Sequence, residues 1–130
     1  MARLFTFDEA TALLPRLREI LAAMQETKAS VDRVQSELAG LSRAASSNGH
    51  LLVAQMERKR REVQSLSERL SASLEELNEI GCELKGVEEG LIDFPADRDG
   101  RTVYLCWKLG EERIDYWHEL DTGFAGRQPL

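Results

Sequence analysis

At 130 residues, with 42% apolar and 31% charged side chains, the chain has the length of one domain and an ordinary globular composition, which argues against disorder. Its formal charge of −6 opposes a general nucleic-acid or anionic-membrane surface, because both require a positive field.

The opening residues, Met1 to Glu9, lack the apolar core of a signal peptide, and no later segment approaches the roughly 20 apolar residues that span a bilayer. This predicts a cytoplasmic protein with no membrane partner. Thr6 and Glu9 have capping-box spacing, so a helix is expected to start there. From Leu13 the apolar positions run Leu13, Leu17, Ile20, Met24, Thr27, Val31, Val34, Leu38 and Leu41, a four-three heptad rhythm. Pro15 lies inside it, where a bend rather than a stop is expected. Residues 42–49 hold three serines, Asn48 and Gly49 and read as the turn. A second seam follows: Leu52, Met56, Lys59, Val63, Leu66, Leu70, Ser73, Leu77, Ile80 and Leu84.

The expected helices are therefore residues 6–41 and 50–81, folded antiparallel. That register sets Val34 near Lys59, Thr27 near Leu66 and Ile20 near Ser73, so each polar seam residue faces an apolar partner and serves to fix register. Leu14, Leu21 and Leu74 widen the apolar stripe at one end, which should carry the rest of the fold. A two-helix arm buries little surface per residue, so two hairpins are expected to self-associate. The run Glu57-Arg58-Lys59-Arg60-Arg61-Glu62 is basic, but neighbouring acids dilute it and no aromatic offers a stacking platform. It reads as a solvated face rather than a nucleic-acid site.

After Gly81 the periodicity changes to alternation. Residues 90–95 and 102–107 flank the turn sequence Asp97-Arg98-Asp99-Gly100, and a third strand over residues 113–118 follows Gly110-Glu111. Leu84 to Val87 suggests a short edge strand. The fold class is thus α+β, one domain: a long antiparallel helical hairpin with a small antiparallel three-stranded β-module over residues 84–118 and a tail over 119–130. Direct turns would pair Phe94 with Val103, Ile92 with Leu105, Trp107 with Ile114 and Leu105 with Tyr116, and would send His118 to the same helix-facing side. The opposite face then collects Leu91, Asp93, Tyr104, Cys106, Arg113, Asp115 and Trp117.

Asp93, Tyr104, Cys106, Asp115 and Trp117 on one face could line a ligand pocket, with carboxylates as acceptors, rings as walls and the thiol as soft ligand or nucleophile. A plainer reading makes Tyr104 and Trp117 a stabilising cross-strand pair. His118, Cys106, Cys82, Glu83 and Asp93 supply atoms suited to zinc or iron. Against that, no Cys-x-x-Cys or His-Glu-x-x-His spacing occurs, and the expected alternation separates Cys106 from His118. Two reduced, packed thiols are the simpler account of Cys82 and Cys106. Nucleophilic triads, phosphate-cradling glycine loops and dinucleotide fingerprints are absent.

The stretch Gly90-Leu91-Ile92-Asp93-Phe94-Pro95, with Leu105-Cys106-Trp107, Gly110-Glu111, Trp117-His118 and Gly123-Phe124-Ala125-Gly126-Arg127, resembles a family of short bacterial proteins catalogued as domain of unknown function twenty-two zero three. The opening Phe5-Thr6-Phe7-Asp8-Glu9-Ala10 with Leu13-Leu14-Pro15 is similar to the family's start. The resemblance implies a bacterial intracellular protein and no established activity. It directs attention to Asp93, Cys106, Trp107, Glu111, Trp117, His118 and Arg127, with Arg127 as a fork for a carboxylate or phosphate ligand. Two functions are expected from this. One is a homo-oligomeric binding or scaffold protein with a small-ligand face on the β-module. The other is a metal-dependent or thiol enzyme using Cys106, His118 and Asp93 or Glu111.

Overall fold

The computed structural model describes residues 3–130, the side chains of residues 45–51 excepted. Helical backbone, α1, spans Phe7–Ile80 and continues through Pro15. It begins as the capping-box spacing requires: Thr6 Oγ accepts from the Glu9 amide at 3.1 Å and the Glu9 carboxylate accepts from the Thr6 amide at 2.8 Å. It ends at Gly81, whose φ of 98° is a left-handed cap that a side chain would strain. Arg16 pairs with Glu76, and Glu37 with Lys59, which lie 60 and 22 positions apart along the chain. The helical backbone therefore doubles back between Glu37 and Lys59 into two antiparallel arms. Of the expected turn, Ala45 to Gly49 lie outside the residues whose side chains are described. No helix among the described residues is long and apolar enough to cross a membrane.

The chain divides into two compact units. Residues 23–73 form a helical hairpin. On its first arm the seam residues Met24, Val31 and Val34 are buried, whereas on the second Leu52, Met56, Lys59, Val63, Leu66, Leu70 and Ser73 are only half-buried. Lys59 crosses the hairpin to Glu37, which Arg33 also holds at 2.9 Å. Within the basic run Arg60 is likewise tied to Glu57, so the segment does not present an uninterrupted positive face.

The other unit, residues 3–22 and 74–130, joins the two arm ends to an antiparallel sheet of five strands rather than three. In chain order these are β1 (Glu83–Gly86), β2 (Leu91–Arg98), β3 (Arg101–Lys108), β4 (Tyr116–His118) and β5 (Gln128–Pro129). The expected edge strand is β1, while β5 arises from the tail. Ile92, Phe94, Ala96, Val103, Leu105, Trp107 and Trp117 are all buried, as are Ala10, Leu14, Leu17, Ile20, Leu21 and Leu77 of the helical segments. Phe5 meets Phe94 edge to face at 5.3 Å, and the Arg18 guanidinium lies over Trp107 at 5.9 Å while donating to the Glu112 carbonyl. Leu74, expected to widen the apolar stripe, is 41% exposed.

Two registers differ from the expected ones, with different consequences. The β2–β3 turn is the two-residue Asp99-Gly100, with φ of 54° and 82°, so Phe94 pairs with Leu105 and Ile92 with Trp107. This is a shift of two positions from the expected pairing. Side chains alternate with period two, so every face assignment on β2 and β3 survives. Between β3 and β4, Leu105 pairs with Trp117 rather than Tyr116. That single-residue slip inverts β4: Trp117 turns to the apolar face, and Tyr116 and His118 join Asp93, Tyr104 and Cys106. The cause is an irregular connection after Gly110, in which Trp107 Nε1 donates to the Glu111 carbonyl at 2.9 Å and Ile114 is buried without belonging to a strand.

Candidate functional site

On the polar face, Asp93 and Cys106 are direct cross-strand partners and His118 stands opposite Tyr104. Asp93, Cys106 and His118 are 3%, 1% and 1% exposed, and one ligand atom from each lies within 4.8 Å of the other two. Such burial is costly for an acid and an imidazole unless both are paired. His118 Nδ1 is 2.7 Å from the Glu119 carbonyl, which can only accept, so this nitrogen carries a proton. Nε2 lies 3.0 Å from Asp93 Oδ1. A second proton must then sit between ring and carboxylate, or a cation must take its place.

The cluster lies in a cavity of about 430 Å³ whose lining includes Lys85, Leu91, Tyr104, Leu120 and Phe124. Tyr104 donates to Glu83 Oε2 at 2.8 Å, and its ring is 5.4 Å from that of His118. Lys85 Nζ donates to Glu83 Oε1 at 2.9 Å and lies 5.0 Å from the Tyr104 ring. Burial alone would raise the Glu83 pKa, but the bonds from Lys85 and Tyr104 outweigh it and hold the carboxyl low; the same Glu83 contact raises Lys85. Tyr104 is raised, chiefly by burial and then by its bond to Glu83.

One wall is the chain's own tail. A short 3-10 turn, Phe124–Gly126, follows Gly123, and β5 pairs with β4. Arg127 pins this segment: its guanidinium lies over Tyr116 at 4.1 Å and Phe124 at 4.7 Å, while Nη2 donates to both Glu111 oxygens at 2.7 and 2.9 Å and to the Cys106 carbonyl at 3.3 Å. The fork expected to take a ligand anion thus holds a carboxylate of its own chain. A Cβ on Gly126 would overlap Cβ of Thr122, which explains a glycine at that step of the tail.

Of the residues expected to form a site, Asp93, Tyr104, Cys106 and His118 come together. Trp107 and Trp117 lie on the apolar face, Glu111 and Arg127 form the tail clamp, and Cys82 is buried away from the cluster beside the Leu77 carbonyl. Asp115 and Arg113 pair with each other on the surface at 3.1 Å. Sequence reasoning missed Lys85 and the wall residues Leu120 and Phe124. The Gly123-to-Arg127 motif marked the tail as unusual without showing where it docks.

Without a bound metal both thiols are held protonated. Burial pushes Cys82 up to about 11, and burial together with the Asp93 carboxylate pushes Cys106 up to about 12. Neither is expected to react with iodoacetamide at pH 8 in the folded protein, whereas both should react after denaturation, as counted by mass spectrometry. Unfolded thiols ionise near 9.0, so the folded chain keeps protons that the unfolded chain has released. Stability is then full below pH 9 and falls as pH rises toward about 11 to 12, which urea titration at stepped pH would record.

Residues 3–130 match the profile of a family described as "Uncharacterized conserved protein (DUF2203)". No curated protein and no solved structure matches the chain.

Proposed function

We propose that this chain, which belongs to the DUF2203 family of uncharacterized conserved proteins, is a metal-dependent binding protein in which Asp93, Cys106 and His118 hold one zinc or iron ion at the floor of a small-ligand cavity. The observation that carries this reading is the orientation of His118. Its Nδ1–H on the Glu119 carbonyl fixes the tautomer and directs the Nε2 lone pair toward Asp93 and into the cluster, as outer hydrogen bonds do for metal-bound imidazoles. Two donors on one tetrahedral zinc lie about 3.3 to 3.6 Å apart, from bond lengths of about 2.0 Å to nitrogen and about 2.3 Å to sulfur. The existing separations, from 3.0 Å to at most 4.8 Å, call for only small side-chain movements. Three protein ligands leave a coordination position for water or a ligand, where the ion can act as Lewis acid.

The competing thiol mechanism fits less well. A base for Cys106 would need a ring nitrogen facing the sulfur, and both nitrogens of His118 already have oxygen partners. Elemental analysis of protein purified without a histidine tag or chelator, followed by zinc titration, tests the metal reading. One ion per chain is expected, lost in His118→Ala and Cys106→Ser. A folded wild-type protein that takes up no zinc or ferrous iron at micromolar concentration would remove it.

The half-buried second-arm seam supports a further part of the reading, that two copies pair through residues 23–73. Light scattering at micromolar concentration is expected to give at least the dimer mass, and a monomer mass refutes pairing. We place the protein in the bacterial cytosol, a reading supported by the family resemblance and by the two free thiols. The ties of Lys59 to Glu37 and Arg60 to Glu57 support leaving nucleic acid out of the proposal.

A further inference from the structure

We infer that the cavity binds a small organic monocarboxylate, with one carboxylate oxygen on the metal and a short apolar body against Leu91, Leu120 and Phe124. This rests on the metal reading above and adds the class of ligand.

Charge comes first. A divalent ion bound by the Asp93 carboxylate, the Cys106 thiolate and neutral His118 forms a centre of no net charge, so its free position accepts a single anionic oxygen without building up repulsion. Around it the described residues of the lining offer one cation, Lys85, and one further carboxylate, Asp121, while Lys85 already shares its charge with Glu83. Among the described residues the lining holds no cluster of arginines or lysines to receive a polyphosphate, which needs several such donors. A singly charged ligand suits this lining.

Shape and polarity define the rest. At about 430 Å³ the space lies toward the small end of ligand cavities and suits a small ligand. Leu120 and Phe124 are 53% and 45% exposed, two large apolar side chains left open to water at the same cavity. A hydrocarbon segment lying against them would remove that surface from water. Lys85 spends one ammonium hydrogen on Glu83 and retains others, and the Tyr104 ring links it to the metal-binding floor: 5.0 Å to Nζ on one side and 5.4 Å to the His118 ring on the other. As the cation of the described lining, it supplies the positive charge that attracts a carboxylate into the cavity.

Cobalt(II) provides the test, because a thiolate ligand gives it a near-ultraviolet charge-transfer band and its visible bands respond to any change in coordination. Cobalt-loaded protein is titrated with acetate, butyrate and hexanoate, and in parallel with butanol, butylamine and butyl phosphate. The acids are expected to shift the visible bands, with affinity rising about threefold to fourfold for each added methylene. Leu120→Ser should flatten that dependence on chain length, and Lys85→Gln should weaken all three acids by a similar factor. If the thiolate band is present but millimolar acids leave the visible spectrum unchanged, the ligand assignment is wrong and the metal site stands. Equal affinity for acetate and hexanoate, or tighter binding of butyl phosphate than of hexanoate, likewise overturns it. Failure of wild-type protein to develop the thiolate band strikes the metal reading itself.

Discussion

His118→Ala is expected to destabilise the metal-free protein by about 1 to 3 kcal/mol in urea unfolding, the range for leaving a buried polar group without its hydrogen-bond partner. Asp93 is 3% exposed, and its bond to the imidazole is the one that offsets its desolvation most directly. The double variant Asp93→Ala/His118→Ala should cost less than the sum of the two single changes, because it removes the polar group that each single change leaves unpaired. A cost for His118→Ala below about 1 kcal/mol, or strict additivity in the cycle, would show that the pair is not coupled as its geometry implies.

Arg127→Ala is the second large effect, expected at about 2 to 3 kcal/mol. The change removes a guanidinium stacked on Tyr116 and Phe124, deprives Glu111 of its ion pair and leaves the Cys106 carbonyl without that donor. Its signature should be local. Hydrogen exchange is expected to accelerate at the amides of residues 123–130, including the Leu130 amide that donates to the Asp115 carbonyl, while β2 and β3 remain protected. Arg127→Lys should recover little, since an ammonium can neither stack on both rings nor present a planar fork. Exchange that rises uniformly through the sheet would show that the tail is not a separate latch.

How much of this could be read from the residues depended on whether a signal was local. The capping box, the helical arms and the alternation of β2 and β3 are short-range signals, and each is found in the fold. The Asp99-Gly100 turn was visible too, although its expected length was two residues too long, an error that period-two alternation conceals. The short β4 strand was different. Ile114 and Tyr116 alternate as strand residues should, but Ile114 fills the core from an irregular connection whose path depends on Trp107 reaching the Glu111 carbonyl. No local pattern records such a tertiary contact, and that one-residue difference separated His118 from Cys106 in the sequence reading. The two-residue strand β5 was equally silent, because it exists only by pairing with β4.

The position of the tail also bears on the order of events during synthesis. Asp93, Cys106 and His118 lie on three successive strands, and the wall that encloses them is secured by Arg127, which follows all three along the chain. A chain emerging from the ribosome completes its helical arms early, whereas Asp93, Cys106 and His118 remain unwalled until Arg127 has left the exit tunnel. Enclosure of the three side chains therefore follows synthesis of the strands that carry them.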